Sequence, residues 1–199
     1  MPRRHCVDLT LMGPDVRRDW ELLLLDVAHV RAWERLLFLG CGDGWLAEEA
    51  ARRVLRGFAC GLDCTPLDVA RATELRGVPG KLEFKLWDGT RIPCPSQSFH
   101  RVFATFALAH CGDPATLLSE MQRVLQPGGE LYLLELERHP AGASDTSSSA
   151  GTLATALTGA GFAESSELVR RVADDERGAM IGVIVRARLA VQDAVPPAA

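Results

Sequence analysis

Leu36-Leu37-Phe38-Leu39-Gly40-Cys41-Gly42-Asp43-Gly44 is the stretch on which the fold turns. A short apolar run from Arg35 to Leu39 gives way to three glycines at alternate positions. Trp45 to Leu55 then places Leu46, Ala50, Val54 and Leu55 where one face of a helix needs them. Strand, glycine loop and helix in that order leave backbone that a ligand can approach closely, since glycine presents no side chain. The helix behind the loop offers free N–H groups and a partial positive charge. A glycine loop alone is also what any tight strand-to-helix turn uses.

Outward from this stretch, short apolar runs alternate with longer amphipathic ones, which predicts strands joined by helices and a mostly parallel α/β sheet, doubly wound. Upstream, Pro14 to Trp33 repeats Trp20, Leu23, Leu24, Val27 and Val30 at helical spacing. Downstream, Gly57 caps the helix after the glycines, and Phe58 to Leu62 is a second strand ending at Asp63. Thr65 before Pro66 reads as a cap followed by proline at the first helical position, opening a helix to Arg76. Leu82 to Leu86 is a third strand, Thr90 to Gln97 a loop, and Arg101 to Thr105 a fourth, buried strand. Asp113-Pro114 opens a helix to Leu125, which Pro127-Gly128-Gly129 ends in a tight turn before a fifth strand, Leu131 to Leu136. Residues 139–151 read as a flexible loop, Thr152 to Ala160 as a helix capped by Gly161, and Leu168 to Val172 with Met180 to Leu189 as a final strand pair. The tail from Gln192 is expected to fray.

Asp63 stands close to twenty residues beyond the glycines, at the end of the next strand, where an acid can accept hydrogen bonds from both ribose hydroxyls of a nucleoside. The bland alternative is a turn or cap residue. A dinucleotide fingerprint would need a third glycine at position 45, which is Trp, so NAD and FAD are disfavoured. A phosphate-binding P-loop is excluded, because no Gly-Lys-Ser/Thr follows.

Five motifs in order carry a resemblance. They are LLFLGCGDG, CGLDCTPLDVARA, LWDGTRIPCPSQSFHRVFATFALAHCGDP, LQPGGELYLLE and the AGF at 160–162, and together they span roughly residues 35–190. The chain resembles the class I, Rossmann-like S-adenosylmethionine-dependent methyltransferases, and within them the small-molecule type that includes the ubiquinone and menaquinone C-methyltransferases. The resemblance implies a seven-stranded sheet with the last strand antiparallel and helices on both faces. The cofactor-binding domain it implies covers 35–190, preceded by the N-terminal helical segment at 1–34 and followed by an expected disordered tail at 191–199. It also implies that Gly40, Cys41, Gly42 and Gly44 surround the methionine and ribose portions of S-adenosylmethionine, and that Asp63 holds the ribose with Cys64 against the adenine. Asp88 would accept from the adenine amino group beside Gly89, and Thr105 and Phe106 would flank the methyl group.

Methyl transfer from a sulfonium is an in-line displacement with a neutral leaving group, so alignment does most of the work and a base is needed only if the acceptor must lose a proton. His110 stands on a position that often holds His in these enzymes and is the candidate for that role; packing or capping of the next helix is the alternative. Two departures stand out. The family usually carries Asp or Glu at Phe38, to hold the methionyl end, and Asp at His100. Phe38 supports a second reading, a non-catalytic methyltransferase-like module that binds a partner, unless Asp43 compensates electrostatically.

Composition narrows the partners. With 22 Lys and Arg against 26 Asp and Glu, the chain carries a formal charge of −4, which argues against nucleic acid. Apolar runs such as Leu22 to Leu25 are far short of a membrane span, and MPRRHCVDLTLMG lacks a signal peptide's apolar core, so a cytoplasmic protein is expected. Cys60 and Cys64 lack a second Cys/His pair at zinc spacing, and no metal site is expected. Cys60, Cys64, Cys94 and Cys111 would suit a thiophilic substrate only if they converged; separate buried thiols are the bland reading. The expected substrate is a small molecule. No long insertion covers the site, so it is open or completed by the second subunit of a homodimer.

Overall fold

The computed structural model describes residues 14–139, 148–175 and 178–191. The first thirteen residues of the expected N-terminal helical segment, most of the 139–151 loop and the tail from Gln192 lie outside the described residues. Seven strands form one sheet in the order β3-β2-β1-β4-β5-β7-β6. They are β1 (Arg35–Leu39), β2 (Phe58–Asp63), β3 (Leu82–Leu86), β4 (Phe99–Thr105), β5 (Leu125–His139), β6 (Phe162–Asp175) and β7 (Gly178–Leu189). β1 pairs in parallel with β2 and β4, β2 with β3, and β4 with β5; β7 runs antiparallel to both β5 and β6. The mostly parallel, doubly wound sheet with its last strand reversed is as expected.

Period-two alternation splits the interior into two cores. Leu36, Phe38, Phe103, Tyr132 and Leu134 face one side, where α1 (Pro14–Ala28), α2 (Trp45–Arg53) and α3 (Pro66–Arg76) pack through Leu24, Ala47 and Ala72. Leu37, Leu39, Val102, Ala104, Leu131 and Leu133 face the other, against α5 (Pro114–Val124) and α6 (Ser148–Gly159) through Leu117, Leu118, Met121 and Leu157. Burying each large apolar side chain contributes about 1.5–3 kcal/mol before entropy is set against it. α1 belongs to this core: Trp20 lies against Gly182 of β7, and Leu24 and Leu25 are fully buried. Among the described residues no helix is long and apolar enough to cross a membrane.

Several element boundaries differ from expectation. The first helix stops at Ala28, not Trp33, because His29 takes a left-handed φ of 48°. The second helix ends at Arg53, and Gly57 lies beyond its end, under the Glu34 carbonyl, which leaves no room for a Cβ. The fifth strand begins at Leu125: the Pro127-Gly128-Gly129 segment is absorbed into it, with a register shift against β4 between Phe99 and Arg101. Helix α6 begins at Ser148, inside the stretch read as loop. β6 extends from Phe162 to Asp175, well past the expected Leu168 to Val172, because β7 supplies a ladder partner along that whole length. A four-residue helix, α4 (Ala107–His110), follows β4 where no element was expected.

Candidate cofactor site

Strand order reverses between β1 and β4, and in open α/β sheets a crevice forms at that switch, beyond the carboxyl ends of the strands. The glycine loop and the β4–α4 turn are its two walls. To turn from β1 into α2, Gly40, Gly42 and Gly44 take φ of +73°, +52° and +80°, which side chains with a Cβ rarely adopt. Gly44 is also crowded, since a Cβ there would lie 2.6 Å from the Phe84 ring. The loop is tied to the end of β2: Gly40 and Cys41 N–H donate to the Leu62 carbonyl at 3.0 and 3.1 Å, and Gly42 N–H donates to Asp63 Oδ2 at 2.8 Å.

Asp63 is 8% exposed, and its other oxygen accepts the Thr65 N–H at 2.9 Å. The expected Thr65 side-chain cap does not form at the start of α3. Cys64, beside it, is exposed. Trp87 N–H donates to the Asp63 carbonyl at 2.9 Å, which sets Asp88 just past the paired end of β3. Asp88 Oδ1 accepts from the Thr90 N–H at 2.9 Å and hydroxyl at 2.7 Å, and these donors hold its carboxyl below the ordinary carboxylate range. Gly89, with φ +83°, has open space where a Cβ would stand. Cys41 is buried next to Asp63; desolvation first, then that charge, pushes its thiol up to about 12, so it stays neutral at physiological pH.

On the facing wall the Thr105 hydroxyl donates to the Gly40 carbonyl at 3.3 Å. Phe106 is held at φ 59°, a left-handed conformation that costs a non-glycine residue about 1 kcal/mol or more, and its N–H donates to the Leu134 carbonyl at 2.8 Å. Backbone strain of this kind gathers at functional sites. His110 is the last residue of α4, one helical turn beyond Phe106.

Three charged residues that sequence reasoning missed stand beside these elements. Glu135 Oε1 accepts the Leu108 N–H at 3.1 Å and steadies α4. From α1, Arg17 and Glu21 form an ion pair at 2.8 Å. The Arg17 guanidinium lies 5.7 Å from the Phe106 ring centroid, and a Cβ on Gly42 would stand 3.5 Å from its Nη2. The signal for Glu21 was present: it shares the buried stripe of α1 with Trp20, Leu24, Leu25 and Ala28. Asp43, by contrast, is drawn away. Its carboxylate accepts the Trp45 N–H at 3.1 Å and pairs with Arg76 of α3 at 3.3 Å.

The two departures prove different in kind. Phe38 is 2% exposed and stacks on Phe103, with ring centroids 4.8 Å apart and planes 8° apart, and Phe103 in turn stacks on Tyr132. His100 lies at the opposite end of the sheet, where Nδ1 accepts the Arg35 N–H at 3.0 Å. Of the four thiols considered, Cys60, Cys94 and Cys111 fall in the same core, with Cys60 and Cys94 in hydrogen-bond contact, while Cys64 is exposed and stands apart. Among the described residues no three His, Cys, Asp or Glu side chains gather as metal ligands. A cavity of about 440 Å³ lined by Gln97, Gln122, Arg123 and Leu189 lies at the far, amino-terminal end of the parallel strands and shares no residue with this crevice.

The donors and acceptors present fit an adenosine bearing a charged tail. Two carboxylates end adjacent strands, glycine backbone is bare, Gly89 faces open space, and Arg17, paired with Glu21, stands near both the loop and Phe106. Comparison with known proteins agrees. Residues 37–133 match the family model described as a methyltransferase domain. The demethylmenaquinone methyltransferase of Thermus thermophilus is 33% identical over 138 residues, covering 68% of this chain and 61% of that protein. The ubiquinone/menaquinone biosynthesis C-methyltransferase UbiE of Cellvibrio japonicus is 30% identical over 132 residues, covering 64% and 53%. The chain thus spans about half to three fifths of the length of these relatives. Among solved structures, a SAM-dependent methyltransferase from Aquifex aeolicus superposes with a TM-score of 0.67 at 20% identity, over 89% of this chain and 95% of that one. The [4+2]-cyclase SpnF superposes with a TM-score of 0.70 at 21% identity, over 88% and 82%, which shows the fold alone.

Proposed function

Because the chain belongs to the class I, Rossmann-like S-adenosylmethionine-dependent methyltransferases, we propose that it binds S-adenosylmethionine in the crevice between β1 and β4 and transfers the methyl group to a small molecule. The observation that carries this reading is the meeting of the glycine loop and Asp63 through the Gly42 N–H bond, beside Asp88 and the β4 end. Gly40, Cys41, Gly42 and Gly44 would offer backbone to the methionine and ribose portions, and Asp63 would accept from the ribose hydroxyls. Cys64 would lie against the adenine, and Asp88, kept ionised by Thr90, would accept its amino group beside Gly89. Thr105 and Phe106 would bound the reacting end. The bound sulfonium supplies an activated methyl with a neutral leaving group. The chain's own task is to align the acceptor, an oxygen, nitrogen or carbon of the substrate, with that methyl and to exclude water. His110 is assigned to orienting or deprotonating the acceptor. The non-catalytic reading drew on Phe38, whose ring is accounted for by the aromatic stack.

Calorimetric titration with S-adenosylmethionine and S-adenosylhomocysteine, with NAD as control, tests the proposal. Micromolar binding of both adenosyl ligands and none of NAD is expected. Asp63→Ala should weaken binding at least about a hundredfold, the loss of two charge-assisted hydrogen bonds. His110→Ala should keep that affinity while lowering turnover by about 10²–10⁴. Absence of binding by the folded wild-type chain would sink the reading.

A further inference from the structure

The acid that the family keeps on the first strand is missing here, and position 38 cannot take it back, because Phe38 is committed to the stack with Phe103. Asp43 is bound toward α2 and α3. Helix α1 brings another acid close to the glycine loop. Glu21 is 5% exposed and held by Arg17, whose guanidinium stands close to both walls of the crevice, beside Gly42 and 5.7 Å from the Phe106 ring centroid.

This pair is poorly explained as a stabilising device. A buried ion pair seldom repays the cost of desolvating both charges. Burial outweighs Arg17 and leaves the Glu21 carboxyl above its ordinary range, with Asp43 adding to the rise. A carboxyl and a guanidinium buried together at a cost, near the strained backbone at Phe106, are the mark of a binding site.

We propose that Arg17 and Glu21 are the receptor for the zwitterionic amino-acid end of the cofactor, with Glu21 accepting from its α-ammonium and Arg17 gripping its α-carboxylate. Helix α1 thereby supplies the charge that the strand lacks. In the free protein the two side chains satisfy each other; on binding, one internal pair is exchanged for two external ones of the same total charge. The planar fork of arginine suits a carboxylate. This inference rests on the cofactor reading given above.

The test separates the two. The whole chain is titrated with S-adenosylhomocysteine and with 5′-methylthioadenosine, which keeps the adenosine and the sulfur and lacks the amino-acid end. Glu21→Gln and Arg17→Gln are each expected to weaken S-adenosylhomocysteine at least about tenfold, the loss of a charge-assisted contact, and to leave 5′-methylthioadenosine within about twofold. Circular dichroism and melting temperature confirm folding. Arg17 is half-buried, so Arg17→Gln remains informative if Glu21→Gln is not well folded. Equal weakening of both ligands, or of neither, overturns the proposal and leaves the cofactor reading standing. A wild-type chain that binds neither ligand overturns both.

Discussion

Phe38 shows how one position can be visible in a sequence while its meaning is not. Its departure from the family's acid is plain from LLFLGCGDG, but the partners that fix it, Phe103 and Tyr132, come from β4 and β5, far along the chain. Restoring the acid should therefore fail: Phe38→Asp is expected to lose at least about 3 kcal/mol in urea unfolding, from the emptied stack and the buried charge, and to gain no cofactor affinity. A variant as stable as wild type would remove the stack from the account. Asp63 was legible for the opposite reason. Strand end, glycine loop and acid are fixed by short-range pattern, and the 2.8 Å bond to Gly42 follows from it. Glu21 fell between these cases, since the helical stripe placed it inward but only the packed helix set it against Arg17 and the crevice.

At the level of elements, helices with local punctuation were readable and long strands were not. Asp113 caps α5 as expected, its side chain accepting the Ala115 N–H at 3.1 Å, and Pro66 opens α3. The extents of β5 and β6 are set by their ladders with β7, a pairing that no local pattern encodes. Equally unreadable was the charge at the start of β4. Arg101, 7% exposed, pairs with Glu34 at 2.9 Å and Glu130 at 3.2 Å and reaches the Ala28 carbonyl and the Tyr132 hydroxyl. It joins the end of α1, the approach to β1, and β5. Arg101→Met keeps an unbranched apolar stem but removes the guanidinium and strands Glu34, so a loss of about 3–5 kcal/mol is expected in urea unfolding. Glu34→Gln in the same chain should return part of it. A loss below about 1 kcal/mol would show that the network is not a structural joint.

For the molecule as a whole, the pattern of strands and helices revealed the sheet and its switch point, and hence where a ligand would sit; the seat of α1 on β7 was not legible, because it depends on how a helix outside the strand–helix alternation docks. Charge sets a pH response with two opposed parts. Asp88, Asp113, Glu120 and Glu167 are held below their ordinary values by Thr90, Thr116, Arg123 and Arg170. Each contributes stability that is present above its unfolded value and lost as pH falls through the folded one. Glu21 has the reverse sign: its folded value is raised, so the native state binds the extra proton and stability drains away as pH rises through the window above 4.5. Urea midpoints should accordingly fall in acid for the wild type, while Glu21→Gln gains on the wild type across the range that opens as pH rises above 4.5. A constant difference across that range would contradict the assigned sign. Trp20 seated on Gly182 adds one more consequence. The same helix that is keyed to β7 by shape carries the charges that meet the ligand, so docking and loading are thermodynamically linked. A ligand held by Arg17 and Glu21 slows hydrogen exchange along α1, and whatever pries the helix from the sheet empties the site.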